Sequence, residues 1–236
     1  MSARNRPVAR RVGRPANPVD VRGAILAAAL RQLEESGGPD RVTIAAIVAE
    51  AGCTPPSLYH YWPTRELLLQ EASARGWQQF RDTQAAAVRG AEAVTDLGSQ
   101  DPVERLRSRG RAYLEFALAR PALFRVLFLE PSAAPLPAAP DSTAKSRDAE
   151  AAGGTGQAFD DLVSDVNNAM AAGRLRPGDP LTTALSLWSA MHGVASLWAV
   201  TPGLPADLAR DVGNLTQDAV LRGLSPARGT QSGPTP

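Results

Sequence analysis

The sequence predicts an all-α protein, on three observations. Alanine dominates the 44% of residues that are hydrophobic, whereas aromatics amount to only 5%, a balance that suits close-packed helices better than sheets. Apolar residues recur at three- and four-residue spacing along most of the chain. Glycine, proline and hydroxyl residues stand where these runs begin and end. A length of 236 residues allows one large domain or two unequal ones.

The chain opens with residues 1–18, where Arg4, Arg6, Arg10, Arg11 and Arg14 alternate with Pro7, Gly13, Pro15 and Pro18 and no apolar period exists. A disordered basic arm is expected there. The formal net charge of +1 hides this asymmetry, since without the five arginines the remainder carries about −4. Such an arm suits contact with a polyanion, and taken alone it suits a solubilising tail equally well.

From Asp20 the residues Ile25, Leu26, Ala29, Leu30 and Leu33 define a first helix, closed by Gly37-Gly38-Pro39. Thr43 is a good N-cap for a second, shorter helix with Ile44, Ile47 and Val48 on one face and Gly52 at its end. A third is expected from about Pro56 to Tyr61: Pro56 fits the first helical position and pushes Pro55 toward extended geometry. Pro63 and Thr64 break the chain, and Thr64 caps a long helix from Arg65 to about Arg89. Further helices are expected near 102–119, 121–129, 156–173, 180–200 and 206–223. The stretch at about 131–156, rich in Ala, Pro, Gly and Ser, reads as a mobile loop, and 225–236 as a disordered tail.

Composition also excludes function classes. The single cysteine, Cys53, permits neither an internal disulfide nor a zinc site of several thiolates, and fits a reducing compartment. No run of about 18 apolar residues and no apolar stretch behind the first arginines is present, so neither a membrane span nor a signal peptide is expected and the location is read as cytoplasmic. With only His60 and His192, no phosphate-binding glycine loop and no metal-ligand spacing, catalysis, a metal and a cofactor are not expected.

Two short helices around a glycine turn, the second rich in hydroxyls and rings, match the plan of a helix-turn-helix at about 43–62. Ile44, Ile47, Val48 and Leu58 would form its internal core, while Thr54, Pro55, Ser57 and His60 would face outward where base edges are read. The run from Thr43 to Leu67 resembles the DNA-binding domain of the TetR family. Its most distinctive part is Leu58-Tyr59-His60-Tyr61 with Trp62 and then Thr64-Arg65-Glu66-Leu67. With the preceding helix the resemblance covers residues 20 to about 70.

The resemblance implies a three-helix DNA-binding domain (19–79) with a helix-turn-helix, joined by the long helix to a helical ligand-binding and dimerisation domain (80–224). It implies a regulator, by default a repressor, that leaves double-stranded operator DNA when a small molecule binds. Within it, Thr43 would start a helix against a phosphate. Thr54 and Ser57 would meet bases or phosphates, Pro55 and Pro56 thymine methyls, and Tyr59, Tyr61 and Arg65 phosphates. His60 would touch DNA or merely stack, and Leu58 and Trp62 would be core. Because neither proline donates an N–H and Ala45 stands where relatives carry longer side chains, readout should lean on shape, methyl contacts and Arg10, Arg11 and Arg14 in an adjacent minor groove.

Farther on, Trp188, His192 and Gly193 resemble the C-terminal domain of one TetR subgroup, the WHG domain, and Pro121 to Phe128 its preceding helix. Trp188 and His192 share a helix face, and with Phe116, Phe124 and Phe128 they either line a ligand pocket or pack the core. The resemblance implies a homodimer through the last two helices, with Gly193 allowing close approach. The alternative function is a ligand-indifferent architectural DNA binder of little sequence preference.

Overall fold

A computed structural model describes residues 20–94, 101–129 and 155–226. The expected arm, nearly all of the expected loop and most of the expected tail lie outside the described residues. Among the described residues every regular element is helical. The N-terminal part holds α1 (Val21–Ser36), a 3-10 turn (Pro39–Arg41), α2 (Ile44–Ala51), α3 (Pro55–Tyr61) and the long α4 (Arg65–Val94). There follow α5 (Pro102–Ala119), α6 (Pro121–Phe128), α7 (Thr155–Ala171), α8 (Pro180–Val200) and α9 (Ala206–Leu224). None of the described helices is long and apolar enough to cross a membrane.

The ends follow local chemistry. Asp20 accepts from Gly23 N at 2.8 Å, Thr43 from Ala46 N at 3.2 Å, Thr64 from Leu67 N at 3.2 Å and Asp179 from Thr182 N at 2.8 Å, each satisfying an N–H that has no partner within its helix. Gly37 (φ 71°) and Gly52 (φ 65°) close α1 and α2 in the left-handed conformation, where a Cβ would be strained.

Two expectations are corrected here. α3 starts at Pro55, not Pro56, with Thr54 taking the extended φ −108°, ψ 155° that a following proline demands. Both prolines fit because the first-turn amides have no helical acceptor, so their missing N–H groups cost nothing. α4 also runs to Val94, beyond Arg89, so the boundary expected at 79/80 falls inside one continuous helix.

α5 lies at the centre and packs against α4, α6, α7, α8 and α9. α6 bridges the two ends of the molecule: it touches α1 and α4 as well as α5 and α8. At the α4 crossing Gly76 allows this, because a Cβ there would meet Leu123 Cδ1 at 3.1 Å and Leu127 Cδ2 at 3.3 Å. Buried side chains form two clusters. One runs from Ile25, Ile47 and Leu58 through Leu68 and Phe80 to Phe124 and Met191. The other gathers Leu106, Phe159, Val166, Leu187 and Leu221. Each fully buried Leu or Ile contributes roughly 1.5–3 kcal/mol to folding, so the first cluster ties α1–α3 firmly to the rest.

Candidate nucleic-acid interface and internal cavity

α3 is held from beneath by Leu58, which is fully buried, and by Trp62, whose indole N–H donates to Glu71 Oε2 at 2.6 Å. Arg22 stacks over the same indole at 5.2 Å and pairs with Glu71 at 2.5 Å. With its inner side so fixed, α3 leaves Thr54, Pro55, Pro56, Tyr59, His60 and Tyr61 exposed, and Ser57 half-buried. Thr54 Oγ1 and Ser57 Oγ share a 3.0 Å hydrogen bond, and His60 packs edge-on to Tyr61 with ring centres 5.1 Å apart. His60 therefore stacks while its ring stays accessible.

α2 is braced against α1 by Glu50, which accepts from Arg31 and from Gln32 Nε2 at 2.9 Å. These two contacts, Arg31 first, hold the Glu50 carboxyl below its usual range. Thr43 and Ala45 are exposed at the start of α2. Arg65 Nε donates to Val42 O at 2.9 Å and its Nη2 to Pro39 O, so the guanidinium clamps the turn before α2, while its Nη1 lies 3.8 Å from Glu66 Oε1. Arg10, Arg11 and Arg14 lie outside the described residues.

The second feature is internal. A cavity of about 60 Å³ lies at the seam between the two core clusters. Trp77, Phe80 and Gln84 line it from α4, Leu106, Arg109, Gly110 and Tyr113 from α5, and Phe128 from α6. The far wall is Ala158, Phe159 and Leu162 of α7, Leu187, Trp188 and Met191 of α8, and Gln217 of α9. Its surface is mainly rings and aliphatic chains, the usual character of a small-molecule site.

Most polar groups around it are engaged. Arg109 Nε donates to Asp165 Oδ2 at 2.7 Å, and Arg105 Nη2 reaches Oδ1 of the same carboxylate at 3.1 Å. Gln217 Nε2 donates to Leu106 O at 3.0 Å. Tyr113 Oη and His192 Nδ1 share a 2.7 Å hydrogen bond. Burial pushes the Tyr113 phenol well above its ordinary range and lowers His192, so both are neutral near pH 7. Gln84 is different: its Oε1 is buried and has no hydrogen-bond partner among the described residues.

The five residues expected around a pocket divide. Phe128 and Trp188 line the cavity. Phe116 and Phe124 do not, being buried in the first core cluster, where Phe124 stacks on Phe128 at 4.8 Å. His192 stands behind the wall, stacked on Trp188 at 4.7 Å and bonded to Tyr113. Sequence reasoning missed Trp77, Gln84, Arg109, Tyr113, Phe159 and Gln217. Trp77, Phe80 and Gln84 recur at helical spacing on α4, so a glutamine on an otherwise apolar face was the available signal.

Comparison with known proteins gives two matching family models. Residues 25–72 match "Bacterial regulatory proteins, tetR family", and residues 106–222 match "Tetracyclin repressor-like, C-terminal domain". The latter description is not that of the WHG domain. No curated protein matches the chain. Among solved structures, a protein of unknown function from Rhodococcus sp. RHA1 is 27% identical, with a TM-score of 0.69 over 91% of this chain and 100% of that one. A TetR-family transcriptional regulator from Streptomyces coelicolor has a TM-score of 0.61 at 17% identity, over 87% and 96% of the two chains. A ketosteroid transcriptional regulator of Mycobacterium tuberculosis has a TM-score of 0.57 at 22% identity, over 89% and 97%.

Proposed function

Since this chain belongs to the TetR family of transcriptional regulators, we propose that it is a ligand-responsive repressor, acting in the cytoplasm as a homodimer on operator DNA. The observation that carries the DNA-binding part is the outer side of α3. A helix anchored by Leu58 and Trp62 presents Thr54, Pro55, Pro56, Tyr59, His60 and Tyr61 together to solvent. Rings and hydroxyls there suit phosphates and thymine methyls, and the arginines of the arm supply the charge that α3 lacks. Thr43 sits at the exposed start of α2, whose free amides favour a phosphate.

The effector enters the cavity between the two clusters. Its walls include α4, whose N-terminal end packs on the reading head, and α6, which touches α1. A ligand that prefers one arrangement of these helices shifts the spacing of the two heads in the dimer. Dimerisation uses α8 and α9, where Leu197, Val200, Leu208 and Leu215 are exposed on a single chain. Gly193 lies on the same exposed side of α8, and nothing among the described residues approaches the position of a Cβ there, which leaves room for a partner helix.

Footprinting with the full chain on the DNA flanking its own gene tests the proposal. Two protected half-sites about one helical turn apart are expected. Protection that spreads evenly, with a steep salt slope and no preferred site, would favour the architectural alternative instead.

A further inference from the structure

Arg109 bears on what the cavity takes. It is the one charged residue of the lining, which holds no Asp or Glu among the described residues. Its Nε donates to Asp165 Oδ2 at 2.7 Å, and that carboxylate is divided with Arg105, whose Nη2 lies 3.1 Å from Oδ1. Nη1 and Nη2 of Arg109 make no hydrogen bond to the described residues, and Asp161 Oδ2 stands 4.0 Å from Nη1, beyond hydrogen-bond reach. Among the described residues the buried side-chain polar atoms without a partner are Gln84 Oε1 and Ser196 Oγ alone, so these two nitrogens retain accessible surface. Asp161 is 54% exposed, which puts this end of the guanidinium at the rim, where the cavity lining meets water. The cavity's volume of about 60 Å³ is well under the roughly 150 Å³ that takes up a benzene, so a slim unbranched chain suits it better than a ring.

Resting on the reading of this cavity as the effector site, we infer that the effector is an amphipathic monocarboxylate, its carboxylate paired with Arg109 at the rim and its short unbranched aliphatic tail in the cavity. Because Nε is taken by Asp165, the edge formed by Nη1 and Nη2 is the fork that a planar carboxylate meets with two parallel hydrogen bonds. At the rim the anion keeps part of its hydration, so no charge is carried into the apolar interior. The tail leaves water for a wall that includes Phe80, Phe159 and Leu187. Arg109 thus serves as a specificity-determining residue, since an alcohol or an amine with the same tail does not use the fork.

The test titrates the full chain calorimetrically with hexanoate, acetate, 1-hexanol, hexylamine and benzoate. Hexanoate is expected to bind at least about tenfold tighter than each of the others. Arg109→Gln should bring hexanoate down to the level of 1-hexanol. Asp161→Asn removes a competing charge at an exposed side chain, and should tighten hexanoate about threefold while leaving 1-hexanol unchanged. This second variant keeps the test decisive where Arg109→Gln, by leaving Asp165 short of a partner, weakens the fold. Binding of any other probe as tight as that of hexanoate, hexanoate affinity unmoved in either variant that keeps its helical spectrum, or no binding of hexanoate at all would overturn the inference. Operator affinity in the same samples separates it from the regulatory reading. Arg109-dependent hexanoate binding that leaves operator affinity untouched at saturation counts against ligand response and leaves the ligand class standing.

Discussion

At the residue scale, single positions decide whether a local conformation is possible at all. Gly52 ends α2 at φ 65° and nothing among the described residues lies within 4 Å of a Cβ there, so the cost of a side chain is backbone strain. Gly52→Ala is expected to lower unfolding free energy by about 1 kcal/mol, measured by urea denaturation. His192 sets a pH dependence. It is stacked between rings and bonded to Tyr113, and burial lowers its proton affinity in the folded state. The unfolded chain therefore binds that proton more readily, so its contribution is fully present above the ordinary histidine value of about 6.5 and is lost as pH falls through the lowered folded value. Melting temperature should drop on acidification below about pH 6.5, and His192→Gln should flatten that slope. A parent and variant with identical slopes would assign the acid sensitivity to other groups.

At the element scale, α6 is the connection between cavity and reading head. Phe128 at its end lines the cavity, Arg125 donates to Ala199 O at the end of α8 at 3.0 Å, and Arg120 before its first turn donates to Glu34 of α1 and Gln79 of α4. Arg120 and Glu34 are both partly buried, so their pair should exceed an exposed ion pair in worth. A double-mutant cycle with Arg120→Ala and Glu34→Ala should return a coupling of about 1 kcal/mol in thermal or chemical unfolding. Hydrogen exchange in α1 should rise in either single variant while that of α5 stays protected. Equal exchange in α1 across all variants would show that α6 does not hold the head.

At the scale of the whole molecule, a single chain leaves an apolar side uncovered. Leu197 and Val200 stand on one side of α8, Leu208 and Leu215 on one side of α9, and Leu215 is 67% exposed. Placing charge there should cost nothing in the monomer and much in a buried interface. The variant Leu197→Glu with Leu215→Glu is expected to sediment as a monomer with an unchanged helical spectrum, and to lose cooperative binding to two half-sites. Retention of the dimer would move the interface elsewhere.

Much of the fold is legible from short-range chemistry. Caps at Asp20, Thr43, Thr64 and Asp179 and glycines at 37 and 52 mark helix ends to within a residue, because a terminus is decided by the few amides and carbonyls around it. The start of α3 differs by one residue because two adjacent prolines are each compatible with the first turn. The exposed side of α3 was likewise readable, since Leu58 and Trp62 are the inward residues of a short amphipathic run. Arg65 was not: an exposed-looking arginine turns back to carbonyls 23 and 26 residues earlier, a contact that no local pattern encodes.

By itself, then, the sequence determined most of the helices, their caps and the outward side of α3, all set by interactions within a few residues. Only the tertiary structure decided which rings border empty space and which fill the core. Phe124 and Phe128 lie one turn apart on the same helix, yet one is packed within a cluster and the other faces the cavity. That outcome depends on how helices from distant parts of the chain fail to close completely at the seam between two cores. Gln84 has the same origin: its spacing marks it as inward, and the packing of five other helices leaves its oxygen without a partner among the described residues.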